Sequence, residues 1–324
     1  MAKAIRIHET GGPEVLRLED VDVGAPGTGE VRLRHTAIGL NFIDTYHRGG
    51  LYPVPLPSGL GLEAAGVVEA LGEGVTGLAV GDRVAYGTGP LGAYSSEALR
   101  PASELVRIPE GLDDQRAAAI MLKGMTAGYL LTMTRPVGPG DTIVIHAAAG
   151  GTGLLMVQWA KHLGARVIGA VGSDAKAALA REHGCDEIVL RGRDDLVKEV
   201  LALTDGKGVP VVFDSVGRAT FEASIDCLAP RGMLVSFGNA SGPAPAVQPG
   251  MLAAKGSLYF TRPTLASYTR DRAELEALAG SVLGLVADGV LKIRVEQRFA
   301  LADAAQAHQQ LEAGATLGAT ILTP

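Results

Sequence analysis

A regular alternation of short apolar runs and helical segments occupies the middle of the chain and constrains its fold more than any other feature. Apolar runs at 142–146, 166–171, 188–190, 209–213 and 233–237 are separated by segments with helical spacing. Strands joined through helices at this spacing form parallel β-α-β units, and uninterrupted apolar strands are typical of sheets covered on both faces. We therefore predict an α/β protein whose central part is a doubly wound parallel sheet.

A glycine-rich loop joins the first of these strands to its helix. Starting at Ala148, the chain has the pattern A-x-G-x-x-G, with Gly150 and Gly153 at the glycine positions. Gly150 would let the backbone approach a pyrophosphate, and Gly153 would let the helix pack closely on the strand. The helix N-terminus would then offer N–H groups to the phosphates. The predicted dinucleotide-binding turn comprises Ala148, Gly150, Gly151, Thr152 and Gly153; the alternative is a tight turn that binds nothing.

The end of the second strand indicates which dinucleotide would bind. Enzymes specific for NAD usually carry an acidic residue there, about 20 residues after the loop. In this chain Val171 is followed by Gly172 and Ser173, with Lys176 in the next helix and Arg191 after the third strand. Missing acidic repulsion and nearby cations favour a ribose 2′-phosphate, hence NADPH. The alternative for Lys176 is a solvated helix residue.

The two ends of the chain have a different pattern. The first part has short strands, such as 31–35, punctuated by Gly and Pro, which is typical of a barrel-like or sandwich domain. The last part is too small to form its own core and is expected to pack on the N-terminal domain. We predict a mainly β domain at 1–124, a dinucleotide-binding domain at 125–263 and a C-terminal return to the first domain at 264–324.

Charge and cysteine content exclude several function classes. The net charge of −6 gives no basic bias towards nucleic acid. The two cysteines, Cys185 and Cys227, are too few for a disulfide framework and lack metal-ligand spacing, so we expect an intracellular, cytoplasmic protein. No apolar stretch has the character of a membrane span. The expected partner is a small molecule and not a membrane, and the charge argues weakly against nucleic acid.

Several motifs together resemble one enzyme family. The chain resembles the zinc-free quinone oxidoreductase (zeta-crystallin-like) branch of the medium-chain dehydrogenase/reductase superfamily over nearly its whole length. The motifs that carry the resemblance are Gly140-Asp141, the loop 148–153 with Gln158 and Lys161, the segment 41–52, Asp214-Ser215-Val216-Gly217, Phe237-Gly238-Asn239 and Thr261-Arg262-Pro263. The resemblance implies a Rossmann doubly wound sheet inserted in a mainly β, GroES-like catalytic domain.

The resemblance also implies site residues. It places Asn41, Asp44, Tyr46 and Tyr52 in the catalytic segment. Further contacts to the cofactor are implied for Asn41, Thr126, Tyr129, Ser215, Val216, Phe237, Gly238, Asn239 and Thr261. The chain departs from the family pattern at Gly314, where an Arg often reaches the cofactor, and at Arg191, where a Tyr is common. These departures concern the contacts to the 2′-phosphate.

The zinc-dependent relatives carry the motif G-H-E-x-x-G, and the corresponding segment in this chain is Gly61-Leu62-Glu63-Ala64-Ala65-Gly66. Because Leu62 stands where the ligand His would be, we expect no zinc site. Without a metal to polarise a carbonyl, the substrate must already be activated for hydride uptake. Quinones meet this condition, and so do α,β-unsaturated carbonyls. We therefore predict an NADPH:quinone oxidoreductase. The alternatives are a reductase of α,β-unsaturated carbonyls and a non-catalytic NADP- or RNA-binding protein.

An apolar segment at 256–262 is predicted as the outermost strand of the parallel sheet. An exposed apolar edge is usually covered, and pairing with the same strand of a second chain would cover it. We predict a homodimer with this strand at its centre. Alternation along the strand would place Leu258 and Phe260 together on the face near the two-fold axis.

Overall fold

The computed structural model describes all residues from 1 to 324, and the chain divides into two compact units. Unit 1 comprises Met1–Met125, Thr269–Asp288 and Ile293–Pro324. Unit 2 comprises Thr126–Tyr268 and Gly289–Lys292.

Strands dominate the N-terminal part of the chain, whereas strands and helices alternate in the rest. The N-terminal part contains β1 (Ala2–Ile7), β2 (Arg17–Val21), β3 (Glu30–Leu40), α1 (Phe42–Arg48), β4 (Ser58–Gly59), β5 (Glu63–Leu71), β6 (Arg83–Tyr86), β7 (Glu97–Pro101), β8 (Val106–Arg107) and α2 (Asp114–Tyr129). The central part contains β9 (Thr142–His146), α3 (Gly151–His162), β10 (Arg166–Val171), α4 (Asp174–Glu182), β11 (Glu187–Leu190), α5 (Leu196–Leu203), β12 (Val209–Asp214), α6 (Phe221–Asp226), β13 (Leu228–Ser236), α7 (Pro249–Ala254) and β14 (Tyr259–Thr261). The C-terminal part contains α8 (Arg272–Ala287), β15 (Val295–Ala300), α9 (Ala304–Glu312) and β16 (Ala319–Thr323).

Unit 1 is built on two sheets. The larger follows the order β15-β16-β3-β5-β6-β8, with β7 also paired to β3, and the smaller has the order β2-β1-β4. The C-terminal strand β16 pairs antiparallel with β3, so the C-terminal part of the chain joins a sheet of the N-terminal part. The core of the unit is formed by apolar side chains of these strands together with Tyr94 and Leu301.

Unit 2 contains a six-stranded parallel sheet in the order β11-β10-β9-β12-β13-β14. In order along the chain this is 3-2-1-4-5-6, the arrangement of doubly wound dinucleotide-binding sheets, which confirms the predicted fold class. The central strand β9 is buried from Ile143 to His146, as the apolar run predicts. The strand order reverses between β9 and β12, and ligands bind at such a switch point.

Two helix ends in unit 2 have a clear local cause. Gly164 and Gly184 have φ values of 86° and 101°, which favour glycine because it lacks a Cβ atom. After α3, the N–H of Ala165 donates to the carbonyl of Ala160 over 3.0 Å, which is the closing bond of a Schellman motif.

The structure differs from the sequence predictions at two places near the site. Helix α1 was not predicted, and Tyr46 lies on it with its side chain buried. At the sheet edge, Leu258 is buried and the Phe260 ring packs on Phe221, so they do not form an outward face. The exposed side chain of β14 is Tyr259, at 58%. None of the helices has both the length and the apolar character that crossing a membrane requires.

Candidate active site

The loop after β9 has the close backbone approach that its glycine pattern predicts. A Cβ atom on Gly153 would lie 2.2 Å from the carbonyl oxygen of Ala147 and 2.9 Å from Cα of Ala148, so only glycine fits. Gly150 is the N-cap of α3, and neither a capping side chain nor an acidic residue occupies the first turn. The first N–H groups of a helix have no acceptor within the helix, so this turn can bind an anion.

Two cations lie near the carboxyl end of β10. A guanidinium nitrogen of Arg191 lies 3.8 Å from the position that a Cβ atom on Gly172 would occupy. Burial, and then the charge of Arg191, lower the pKa of Lys176, which places these two cations close together. Ser173 is the N-cap of α4, and its hydroxyl accepts the N–H of Lys176 over 3.3 Å. The neighbouring carboxylate of Asp174 accepts a hydrogen bond from Arg193 over 3.4 Å. These two cations, Lys176 and Arg191, could bind the 2′-phosphate on the ribose of a dinucleotide.

The loops after β12 and β13 lie against each other. A Cβ atom on Gly238 would lie 2.4 Å from the carbonyl oxygen of Ser215. Oδ1 of Asp214 accepts the N–H of Val216 over 2.7 Å, which anchors the first of these loops. Because all strands of this sheet are parallel, their carboxyl ends meet at one edge. The predicted residues at this edge are the loop 148–153, Gly172, Ser173, Arg191, Ser215, Val216, Phe237, Gly238, Asn239 and Thr261.

Thr126 and Tyr129 lie on α2, at the start of unit 2. Thr126 is half-buried and Tyr129 is buried. The ring of Tyr129 stacks on Tyr268, with centroids 4.5 Å apart and an angle of 14° between the planes.

The predicted catalytic segment begins at the N-terminus of α1. Asn41 is the N-cap residue in a capping box with Asp44, whose Oδ2 accepts the N–H of Asn41 over 2.8 Å. The rings of Tyr46 and Tyr52 meet edge to face with centroids 5.3 Å apart, and the N–H of Tyr52 donates to the carbonyl of Tyr46 over 3.1 Å. The structure therefore brings all four predicted residues of this segment together in unit 1.

A buried ion pair adjoins Asn41, and the sequence patterns did not indicate it. Lys123 donates to Oε2 of Glu63 over 2.8 Å, and Nδ2 of Asn41 donates to the same oxygen over 2.8 Å. The three side chains are almost fully buried. In the sequence, Glu63 stands out only as part of the degenerate zinc motif. The available sign of Lys123 was its position after the apolar run 117–122 of α2, and its partner lies 60 positions away.

A second buried network holds α1 to α9. The hydroxyl of Tyr94 donates to Oδ2 of Asp44 over 2.8 Å and lies 3.1 Å from Nε2 of His308. Arg48 donates to Nδ1 of His308 over 2.9 Å and makes a two-pronged pair with Glu312, at 2.7 and 3.0 Å. Because Arg48 donates to Nδ1, His308 carries its proton on Nε2. Burial lowers the pKa of His308 to about 3, so this ring is neutral.

The structure brings together no group of three or more His, Cys, Asp or Glu side chains that could hold a metal ion. Both cysteines are free and buried, and burial raises the pKa of each thiol to about 12. His146, the last residue of β9, bonds through Nε2 to Ser224 over 2.9 Å.

Comparisons with known proteins agree with this architecture. Residues 27–110 match the family "Alcohol dehydrogenase GroES-like domain", and residues 151–278 match "Zinc-binding dehydrogenase". The chain is 56% identical to the quinone oxidoreductase of Pseudomonas aeruginosa, over 100% of both chains. It is 48% identical to the 2-haloacrylate reductase of a Burkholderia species, over 100% of this chain and 99% of the relative.

A solved structure shows the same fold. The crystal structure of Escherichia coli quinone oxidoreductase complexed with NADPH superposes with a TM-score of 0.98 at 46% identity, covering 99% of this chain and 100% of that one. Unit 1 thus contains the GroES-like domain and unit 2 the Rossmann sheet, which confirms the predicted resemblance. The chain belongs to the quinone oxidoreductase branch of the medium-chain dehydrogenase/reductase superfamily.

Proposed function

We propose that this protein is an NADPH:quinone oxidoreductase that reduces a quinone without zinc. The observation that carries the proposal is the cationic edge of the parallel sheet, where Lys176 and Arg191 lie beside a glycine-rich phosphate turn. The quinone oxidoreductases with which the chain aligns along its full length support the substrate class.

The residues of unit 2 fit NADPH. The glycine turn has no room for a side chain at Gly153, as the close packing of the helix on the strand in a dinucleotide-binding turn requires. The cations Lys176 and Arg191 would hold the 2′-phosphate, and they replace the acid that would bind a free 2′-hydroxyl. Gly314 stands where the family often has an Arg, and it carries no charge. Arg191 would supply a positive charge for the 2′-phosphate instead. Thr126, Tyr129 and the loops after β12, β13 and β14 would complete the nucleotide contacts.

The chemistry that NADPH supplies when bound is the transfer of a hydride, or of its electrons in single steps. A quinone that takes up two electrons and two protons becomes a hydroquinone; the hydride provides both electrons and one proton, and solvent provides the other. The phenolate formed on the way is stable compared with an alkoxide, so no metal is needed to hold it.

The protein's own part is binding, orientation and exclusion of water. We assign Asn41, Tyr46 and Tyr52 to the positioning of the quinone and the nicotinamide. The tyrosine hydroxyls are hydrogen-bond donors for a developing oxyanion. Asp44 holds the main chain of Asn41 and so orients the segment.

A reductase of α,β-unsaturated carbonyls is the second candidate. It is favoured by the 2-haloacrylate reductase that is 48% identical to this chain. Enones and acrylates are also activated for hydride uptake, so the same arrangement would serve them.

Two further proposals concern the state of the protein. We propose a homodimer in which β14, the outermost strand of the sheet, pairs with the same strand of a second chain; the exposed Tyr259 lies on that strand. We also propose a cytoplasmic location, since Cys185 and Cys227 are both free thiols.

Stopped-flow oxidation of NADPH against a panel of quinones and a panel of acrylates and alkenals tests the function. We expect faster turnover with the quinones. Preference for the second panel would favour the alternative reductase. Tight NADPH binding without turnover of either panel would favour a non-catalytic NADP- or RNA-binding role.

A further inference from the structure

Glu63 is a buried carboxylate on which three hydrogen-bond donors converge. Its Oε2 accepts Nδ2 of Asn41 and Nζ of Lys123, both over 2.8 Å, and its Oε1 accepts the N–H of Leu122 over 2.8 Å. The side chain of Glu63 is fully buried, and 6% of the Lys123 side chain is exposed. A carboxylate accepts at both oxygens, whereas an amide or a protonated acid must donate at one end. The three donors therefore require the ionised form.

The carboxylate has no room to move away from Asn41. A Cβ atom on Gly39 would lie 2.2 Å from Oε2 of Glu63 and 2.3 Å from the carbonyl oxygen of Ala118. The backbone of β3 therefore closes one side of Glu63, and α2 supplies Lys123 and Leu122 on the other. Oε2 of Glu63 is therefore an acceptor of fixed position for Nδ2 of Asn41.

A fixed acceptor fixes the orientation of the Asn41 amide. Nδ2 must face Glu63, because the opposite orientation would bring two acceptor oxygens together. The other end of the amide, Oδ1, has two lone pairs. The capping box with Asp44 uses at most one of them, so Oδ1 can accept an N–H from a ligand. The carboxamide of a nicotinamide is such a donor.

Stability alone does not explain the pair of Glu63 and Lys123. Desolvation of two charges offsets most of their attraction, and apolar residues of similar volume often replace such a pair without loss. A role in orienting a neighbour is the better account of its position beside Asn41.

We propose that Glu63 and Lys123 are positioning residues that set the amide of Asn41 so that its oxygen receives the carboxamide of the nicotinamide. This inference depends on the proposed NADPH function and extends it. Lys123 holds Oε2 of Glu63 through a hydrogen bond of 2.8 Å, and the same oxygen orients the amide of Asn41.

The test uses the fact that the chain has only two asparagines, Asn41 and Asn239. Protein labelled with 15N-asparagine shows two side-chain amide groups in a heteronuclear NMR spectrum, and an Asn239→Asp variant assigns them. The double variant Glu63→Gln/Lys123→Met removes both charges and leaves no buried ion unpaired. The matched control Lys3→Met/Asp20→Asn removes the surface ion pair of unit 1, whose atoms are 2.8 Å apart.

In the Glu63→Gln/Lys123→Met variant we expect the Asn41 amide signals to move and NADPH to bind about tenfold more weakly, as for the loss of one hydrogen bond. The KM for NADPH should rise, while the KM for the quinone should change little. The control should match the unmodified protein in both measurements. Unchanged Asn41 signals, or unchanged NADPH affinity, in the charge-free variant would overturn the proposal.

The single variant Lys123→Met gives a second readout because it keeps the Glu63 carboxylate as the acceptor of Nδ2 of Asn41 and of the N–H of Leu122. The Asn41 amide signals should therefore move less in Lys123→Met than in the double variant. A movement as large in the single variant would contradict the role of Glu63. If the unmodified protein neither bound NADPH nor oxidised it with quinones, the proposed function would fail, whereas the NMR spectra would still report the Asn41 amide.

Discussion

The hydroxyl of Tyr94 donates a hydrogen bond to Oδ2 of Asp44 over 2.8 Å, and both side chains are buried. Oδ1 of the same carboxyl has no hydrogen-bond partner. Burial raises the pKa of Asp44 to about 7, although the N–H of Asn41, Tyr94 and Lys123 each act to lower it. The N-terminus of the catalytic segment is thus held by an acid that titrates near neutral pH.

The first prediction concerns the pH dependence of stability. The pKa of Asp44 is about 7 in the folded protein against an ordinary value of 3.8, so the folded state binds more protons between these values. The extra proton bound by Asp44 therefore stabilises the folded state. This contribution to the free energy of unfolding is fully present below about pH 4 and is lost as pH rises through 7. Asp44→Asn should reduce the loss of stability between pH 5 and pH 8 by on the order of 2 kcal/mol. Denaturant unfolding at both pH values checks this; equal losses in the two proteins would refute it.

The second prediction concerns cofactor choice. Lys176→Ala and Arg191→Ala should each weaken NADPH binding by about 1–3 kcal/mol, the range for a charge-assisted bond to phosphate, and leave NADH binding unchanged. Calorimetry with both cofactors measures this difference. Lys198→Ala, on α5 of the same unit, removes one positive charge and serves as the control. Equal affinity of the unmodified protein for NADPH and NADH would count against the assignment.

The third prediction concerns the glycine turn. Gly153→Ala should weaken NADPH binding at least tenfold, because the new Cβ atom would lie 2.2 Å from a backbone oxygen and push the turn out of shape. It should also lower the free energy of unfolding by about 1–3 kcal/mol, as overpacking does. Gly138→Ala is the matched control, since no atom lies within 4 Å of its Cβ position. Cofactor titration and thermal unfolding of both variants compare them; similar behaviour would show that the turn does not need glycine.

The fourth prediction concerns metal. Leu62 cannot bind zinc, and the structure assembles no set of three ligands. Purified protein should contain no stoichiometric zinc, and chelators should leave NADPH oxidation intact. Elemental analysis finding one zinc per chain would disprove this.

The fifth prediction concerns assembly. Tyr259→Lys should raise the monomer fraction, because it places like charges near the two-fold axis of the proposed dimer without burying a charge in the fold. Light scattering over a range of concentrations measures it. Leu18→Lys changes a 43% exposed strand residue elsewhere and should leave assembly unaltered. A monomeric unmodified chain at micromolar concentration would reject the dimer.

Local patterns predicted the parallel sheet well. The strands β9 and β10 begin and end at the predicted residues, because an apolar run is a property of a few adjacent positions of the chain. Helix α1 was missed because its residues, Phe42–Arg48, lack a clear apolar stripe. It is stabilised by Asp44, which accepts a hydrogen bond from Tyr94, 50 positions away, and by Arg48, whose partners His308 and Glu312 lie on α9, more than 200 positions away.

The edge strand of the parallel sheet was predicted only in part. The apolar segment identified a strand, but the pattern did not show which of its side chains are buried and which are exposed. Leu258 is buried in the core of unit 2 and Tyr259 is exposed, because the strand's register on β13 sets which face is covered. The roles of the predicted site residues stay predictions that the variants above address.

Adjacent residues encode the β-α alternation, the glycine turn, the missing acid after β10 and the loss of the zinc ligand at Leu62, so these features could be predicted from local patterns. The meeting of Asn41, Glu63 and Lys123 in one buried cluster depends on how the chain folds. Those residues are far apart in the sequence. A buried carboxylate needs hydrogen-bond donors, and only the folded chain brings these donors next to Glu63.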